Sequence, residues 1–319
     1  MNLLASLRYL VALSEHRHFA RAAQACHITQ PALSNALRAL EKEFGTPIVR
    51  RGRTYAGLTP EGERVLATAQ RMLREHLLLQ QELQGSAERP QGLLQLGVVP
   101  TAVPMAARFA ALLQARHPGI APVVRAMSSQ EIEAGLEGLS LDLGLGFIER
   151  LQKRGSHFSI LPQYSEHYFL VRRAPASGAR RALTLGPAMA WQDAARLPLC
   201  LLTPEMHNRS IVDAAFARAG AKVHPVMETN SILTLALSVV AGEVCSVLPG
   251  ALVGAVRGQA GLEALPLTRP EVTTPVGFIT LASAQPSRVL AAALALARDP
   301  QWLRQAAEHS GELGAPAGG

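Results

Sequence analysis

Two groups of side chains in this chain have types and spacing suited to chemistry. The first begins at Thr29-Gln30-Pro31 and continues through Ser34, Asn35 and Arg38. On a helix these residues share one polar face of hydroxyl, amide and guanidinium groups, which can hydrogen-bond base edges in a DNA major groove. Just beyond, Arg50, Arg51, Arg53 and Tyr55 surround Gly52. A basic hairpin tip of this kind suits phosphates or a minor groove, or is simply a solvated loop. The second group lies further along, at Thr101, Ser128-Ser129, Thr203, His207-Asn208-Arg209 and Asn230. There, hydroxyls and amides fall where strands run into helix starts, beside free N–H donors that favour a small anion. Each of these residues also has a plainer reading as a helix cap, and Arg209 equally reads as half of a surface ion pair.

Bond-making chemistry finds little support. The chain has no G-x-S-x-G elbow, P-loop or H-E-x-x-H motif. Gly144-Leu145-Gly146 lacks the third glycine of a dinucleotide loop and closes a strand. His16 and His18 stand two apart, with no cysteine or carboxylate pair to complete a metal set. No enzyme activity, metal or cofactor is therefore expected. Cys26, Cys200 and Cys245 are few and odd in number, as befits a reducing cytosol. A thiol switch would need proximity and a lowered pKa.

The elements around the first group follow from periodicity. Leu3, Leu7, Leu10 and Val11 line one helix, and Phe19, Ala22, Ala23 and Cys26 face inward from a second. His27-Ile28 makes a turn, and Thr29 caps a third helix running to Phe44, with Leu33, Leu37, Leu40 and Phe44 as its buried stripe. Residues 47–58 read as a β-hairpin wing. Residues 1–60 carry a net charge of +5 and the other 259 residues +2, a polyanion grip on a nearly neutral body.

Phe19-Ala20-Arg21-Ala22-Ala23, Thr29-Gln30-Pro31-Ala32-Leu33-Ser34, Leu40-Glu41, Gly45, Arg51 and Leu58-Thr59-Pro60-Glu61-Gly62 resemble, without gaps, the LysR-type transcriptional regulators. Arg50 stands where that family often has an acid, and Tyr55 and Gly57 where bases are common. The resemblance implies that Gln30, Ser34, Asn35 and Arg38 read bases, with Thr29, Pro31, Arg51 and Arg53 completing the DNA face. It places effector contacts at Thr101, Ser128 and Ser129, beside Phe147, Thr203, His207, Asn208, Arg209 and Asn230. The stretch from His207 to Ser231 also resembles LysR-type regulators of formate dehydrogenase operons.

The expected fold class is α/β: a winged helix-turn-helix (residues 1–58), a linker dimerisation helix and hinge (59–92), and a two-lobed effector domain similar to periplasmic binding proteins (93–310), followed by a flexible tail (311–319). Lobe I is expected at about 93–162 and 268–310, and lobe II at about 163–267. Expected strands are Leu93–Val99, Ala121–Met127, Leu141–Phe147, His167–Arg172, Leu199–Leu202, Lys222–Met227, Val244–Leu248 and Val276–Leu281. The last expected helix is Pro286–Ala297, and the frayed tail is expected from Glu308. The most apolar stretch, Ser231–Val256, is broken by Glu243 and Pro249 and reads as buried rather than membrane-spanning. Arg8 and Glu15 flank only a short apolar run, unlike a signal peptide. The reading is a cytoplasmic, sequence-specific regulator that assembles as a dimer through its linker helix, and further as a homotetramer. It would bind dyad-symmetric double-stranded DNA and RNA polymerase, and a small organic anion between its lobes. An architectural DNA-binding protein without a ligand, and an enzyme with an appended DNA-binding module, stand as alternatives.

Overall fold

The computed structural model describes residues 2–50, 55–84, 90–152, 157–174, 182–282 and 286–310. The expected tail at 311–319 lies outside them. The chain divides into two compact units: residues 1–89 with the short stretch 134–141, and residues 90–133 with 142–319.

The N-terminal unit is built from α1 (Leu3–His16), α2 (Phe19–Ala25), α3 (Gln30–Phe44) and α4 (Pro60–Gln84). Leu7, Leu10 and Leu13 of α1, Ala22 and Ala23 of α2, and Leu33, Leu37 and Leu40 of α3 form one core with Ile48, Val49 and Leu58. The two alanines let α2 cross its neighbours closely. Thr29 and Gly45 cap α3, and Gly45 adopts a left-handed conformation. Cys26 caps α2 and is half-buried rather than occupying the expected core position. Val49 and Leu58 form an isolated bridge at the base of the wing. The 25-residue α4 is anchored at its start, where Ala69, Val65, Leu66 and Leu73 pack onto the same core. Met72 and Leu79 remain exposed on it.

The second unit alternates strands and helices: β1 (Gly92–Val98), α5 (Val103–Arg116), β2 (Ile120–Ala126), α6 (Ser129–Glu137), β3 (Leu143–Phe147), α7 (Glu149–Gln152) and β4 (Phe158–Arg173). It continues with β5 (Thr184–Leu185), β6 (Met189–Ala190), α8 (Trp191–Ala194), β7 (Leu199–Leu202), α9 (His207–Arg218), β8 (Met227–Thr229), α10 (Ile232–Ala241) and β9 (Cys245–Pro249). It closes with α11 (Gly250–Ala255), β10 (Leu262–Thr268), β11 (Thr273–Leu281), α12 (Arg288–Ala297) and α13 (Pro300–His309). The strands lie in the order β2-β1-β3-β11-β4-β9-β7-β8, with β10 also on β4. Parallel pairs β1–β2, β1–β3, β7–β9 and β7–β8 make the two ends.

The long strand β4 belongs to two sheets. Phe158–His167 pairs antiparallel with β11, whereas Tyr168–Arg173 pairs with β9 and β10. The change of partner falls between His167 and Tyr168. A few residues earlier on β4, opposite Pro162–Tyr164, β11 slips register between Val276 and Gly277, and a Cβ on Gly277 would lie 2.8 Å from the Leu161 carbonyl oxygen. Only glycine permits so close a crossing.

Several boundaries differ from the sequence expectation. The strand expected at Lys222–Met227 is shortened and displaced to Met227–Thr229, where it pairs with Cys200–Leu202 of β7. The strand expected at His167–Arg172 is the far end of the 16-residue β4. Strand β10 and helix α13 were not expected. Glu308 and His309 lie in α13, started by Asp299, whose carboxylate accepts from the Gln301 N–H at 2.7 Å. Trp302 anchors that helix, donating from Nε1 to Gln163 Oε1 at 2.6 Å.

Candidate DNA-binding face and effector crevice

The exposed side of α3 carries Gln30, Pro31, Asn35 and Arg38, with Ser34 half-buried beside them. The Thr29 hydroxyl caps the helix, accepting from the Ala32 N–H at 3.4 Å. Arg38 Nη1 lies 3.5 Å from Asn35 Oδ1, so the guanidinium fork and the amide stand side by side. Gln30, Pro31, Ser34, Asn35 and Arg38 are thus brought to one face. Arg51 and Arg53 lie outside the described residues.

Two contacts position this face: that of Glu41 had no chemical reading in the sequence, whereas Thr59 was expected to cap the linker helix, and both sit in the quoted motif. Glu41 Oε1 accepts from the Ile48 N–H at 2.9 Å and the Val49 N–H at 3.1 Å, tying α3 to the wing base. Thr59 donates to the Pro47 carbonyl at 2.7 Å and accepts from the Gly62 N–H at 2.9 Å, locking the start of α4 to the same segment. A Cβ on Gly62 would sit 2.1 Å from the Ile48 carbonyl oxygen, which is why glycine stands there. Arg50, in the position noted as a family departure, donates from Nε to the Leu58 carbonyl at 2.8 Å and braces the wing.

In the second unit, the carboxyl ends of β1, β2, β3 and β7 meet around a crevice. It is lined by Val99, Pro100, Thr101, Ser128, Ser129, Phe147, Leu202, Met206, His207 and Asn208. Six residues singled out from sequence therefore converge: Thr101, Ser128, Ser129, Phe147, His207 and Asn208. The rings of Phe147 and His207 pack across it with centroids 5.1 Å apart. The remaining space is about 20 Å³, room for one water.

Hydrogen bonding separates caps from candidate contacts. The Ser128 N–H donates to Glu131 Oε2 at 2.8 Å and the Glu131 N–H to Ser128 Oγ at 3.2 Å, a reciprocal capping box. The backbone hydrogen bond from Ser128 holds the Glu131 carboxyl below its usual range. Ser128 is thus spent on capping. By contrast, Thr101 Oγ1, Ser129 Oγ and Asn208 Nδ2 are buried with no hydrogen-bond partner.

Three sequence candidates are not brought to the crevice lining. Thr203 donates to Glu205 Oε1 at 2.6 Å. Arg209 donates to the Leu202 carbonyl at 2.6 Å, to Glu228 Oε1 at 2.5 Å and to Asp213 Oδ1 at 2.8 Å. Its guanidinium ties α9 to β7 and β8, which is the ion-pair alternative left open above. Asn230 is exposed.

The two strand cysteines face opposite sides of their sheet. Cys245 packs with Leu199, Val212 and Phe216, and Cys200 with Phe169, Leu202 and Leu252. In the register of β7 and β9, Cys245 pairs with Leu199, and Cys200 with Ser246. Burial pushes the Cys245 thiol up, with Arg172 only partly opposing.

This architecture, a helix-turn-helix in one unit and a narrow crevice between two α/β sheets in the other, defines a DNA-binding regulator with a separate effector domain. Residues 4–63 match the model of the bacterial regulatory helix-turn-helix proteins of the lysR family, and residues 87–301 match the LysR substrate binding domain. The chain belongs to the LysR family of transcriptional regulators. It is 29% identical over 274 residues to the DNA-binding transcriptional dual regulator OxyR of Escherichia coli K12, covering 86% of this chain and 87% of that protein. A full-length point variant of OxyR from Pseudomonas aeruginosa superposes with a TM-score of 0.67 at 23% identity, covering 92% and 97% of the two chains. CbnR, a LysR family regulator whose complex with target DNA is also solved, superposes with a TM-score of 0.68 at 20% identity over 95% and 99%. Among the described residues, no helix is long and apolar enough to cross a membrane.

Proposed function

We propose that this regulator is controlled by a small organic anion held in the crevice by Thr101, Ser129 and Asn208, with Phe147 and His207 packed over it. The observation that carries this reading is the set of three orphaned buried polar atoms. Leaving a buried polar atom unmatched costs roughly 1–3 kcal/mol. All three groups can donate, and they sit beside the starts of α5, α6 and α9, where a carboxylate would also meet helix dipoles. Since only a water-sized space remains, entry of a ligand requires the two sheets to separate and close again.

On DNA, Gln30, Ser34, Asn35 and Arg38 contact base edges, while Thr29, Arg51 and Arg53 hold phosphates and Pro31 fixes the first turn. Chains pair through the apolar residues left exposed on α4, including Met72 and Leu79, and pairs join as tetramers on a dyad-symmetric operator in the cytoplasm. Effector occupancy changes this assembly, and with it DNA bending and recruitment of RNA polymerase.

Several relatives are named as hydrogen peroxide-inducible activators. A peroxide-driven disulfide between Cys200 and Cys245 is disfavoured here, because side chains on opposite faces of a sheet point apart. The test is a thermal-shift screen of the full chain against formate and larger mono- and dicarboxylates. A ligand at 100 times its Kd stabilises by about 2.7 kcal/mol. The expected hit weakens in Thr101→Val, Ser129→Ala and Asn208→Ala. A hit indifferent to all three substitutions would overturn the assignment of the crevice.

A further inference from the structure

The residues Tyr164, Glu166 and Tyr168 alternate along one buried face of β4. Glu166 lies opposite Thr274 in register, next to the point where β4 changes sheets. It is fully buried, and neither carboxyl oxygen has a hydrogen-bond partner. The Tyr164 hydroxyl stands nearby and is itself without a hydrogen-bond partner. A buried carboxylate in such surroundings is unfavourable unless a cation or several donors face it.

No cation does so among the described residues. Strand β11 and helices α10 and α11 carry no titratable side chain. On β10, Glu263 is held by Arg172 at 3.0 Å, towards the far end of β4. Cys245 on β9 pairs with Leu199 of β7. Helix α13, with Arg304, Glu308 and His309, packs on the other face of β4, where Gln163 meets Trp302 and the Ala297 carbonyl. Glu149 of α7 acts on the neighbouring Tyr168 and is itself an acid. Burial pushes the Glu166 carboxyl up to about 8, and the Tyr164 hydroxyl offsets only part of this.

We propose that Glu166 is a proton switch at the junction of the two sheets: its carboxyl is protonated in the arrangement seen here, and loss of that proton favours an arrangement that opens the β4–β11 crossing to water. The same junction is clamped by the Tyr168 and Thr274 hydroxyls, 3.0 Å apart. Asn208, whose side chain lines the crevice, lies beside Tyr168. Proton binding and crevice occupancy thus draw on one equilibrium and must be coupled reciprocally. The switch itself does not depend on what the crevice binds.

The test uses the full chain without any effector. Infrared difference spectra with ¹³C-labelled glutamate carboxyls should show a protonated carboxyl that is lost with a midpoint near pH 8 and is missing in Glu166→Gln. Amide exchange in peptides spanning 163–168 and 273–276, corrected for the intrinsic chemical rate, should accelerate about ten-fold per pH unit between pH 6 and 8 and then level off. Glu166→Gln should flatten that rise. A wild-type midpoint below pH 6, or a rise in exchange that is equal in wild type and Glu166→Gln, overturns the proposal. If Glu166→Gln does not fold, the infrared midpoint and exchange profile of the wild type decide alone, and a titrating carboxyl with pH-independent exchange also overturns it.

Discussion

Replacing Glu41 by Ala should release the wing from the recognition helix without unfolding the N-terminal core. The Glu41 carboxylate accepts from two neighbouring N–H groups, at Ile48 and Val49, whose residues are 1% and 8% exposed. Hydrogen bonds to a charged group contribute roughly 1.5–3 kcal/mol each. Water can reach part of the vacated space, because Glu41 itself is only half-buried. The expected loss is therefore about 2–3 kcal/mol of local stability rather than the sum of two full bonds. The core of Leu7, Leu10, Leu33, Leu37 and Leu40 keeps its packing, so the loss falls on segment 47–50. Amide exchange of that segment is the assay, since it reads local opening directly. At about 1.4 kcal/mol per factor of ten, exchange there should accelerate roughly 30- to 150-fold, while α1 stays near its wild-type rate. Glu41→Gln, which keeps one accepting oxygen without the charge, should fall in between. Unchanged exchange at Ile48 and Val49 in Glu41→Ala would refute the reasoning, as would equal acceleration throughout the unit.

Three further outcomes follow from the same geometry. Arg38→Ala should cost about 1–3 kcal/mol at a DNA site selected by the wild-type protein and relax discrimination there, as read by binding competition; unchanged discrimination would remove Arg38 from the base-reading face. The double variant Cys200→Ser, Cys245→Ser should bind that site identically before and after peroxide treatment, as should the wild type; a peroxide response abolished by the variant would restore the thiol reading. Stability should also fall with rising pH. The carboxyl pKa of Glu166 is raised in the folded state, from 4.5 to about 8, so its stabilisation is complete below 4.5 and is lost as pH climbs through this window. At 1.36 kcal/mol per unit the loss approaches about 5 kcal/mol. Denaturant titrations from pH 5 to 8 should show the slope in wild type and a flatter profile in Glu166→Gln.

Much of the N-terminal unit was readable because its determinants are local. Caps, a Pro in the first turn, leucines at helical spacing and an unbroken motif all lie within a few residues of what they specify. The strand-end hydroxyls were readable for the same reason. What separates Ser128 from Ser129, or Thr101 from Thr203, was not. It depends on whether Glu131 or Glu205 is there to take the hydroxyl or N–H. Arg209 was ambiguous because its partners, Asp213 and Glu228, become neighbours only when β8 pairs with β7. The stretch Tyr164-Ser165-Glu166-His167-Tyr168 alternates like a half-solvated strand, and a glutamate would be assigned to water. Its burial is imposed by β11, which arrives more than a hundred residues later.

That late arrival has a consequence for synthesis. The sheet of β1, β2 and β3 has β11 as its next strand, and β3 has no antiparallel partner until residue 281 has been made. The N-terminal core, by contrast, is complete in sequence by residue 73. Because chains emerge over seconds and short-range contacts form first, a nascent molecule can present a folded recognition helix well before its sensor half can close. Chaperone attention and premature operator binding would fall in that interval, and β11 marks its end.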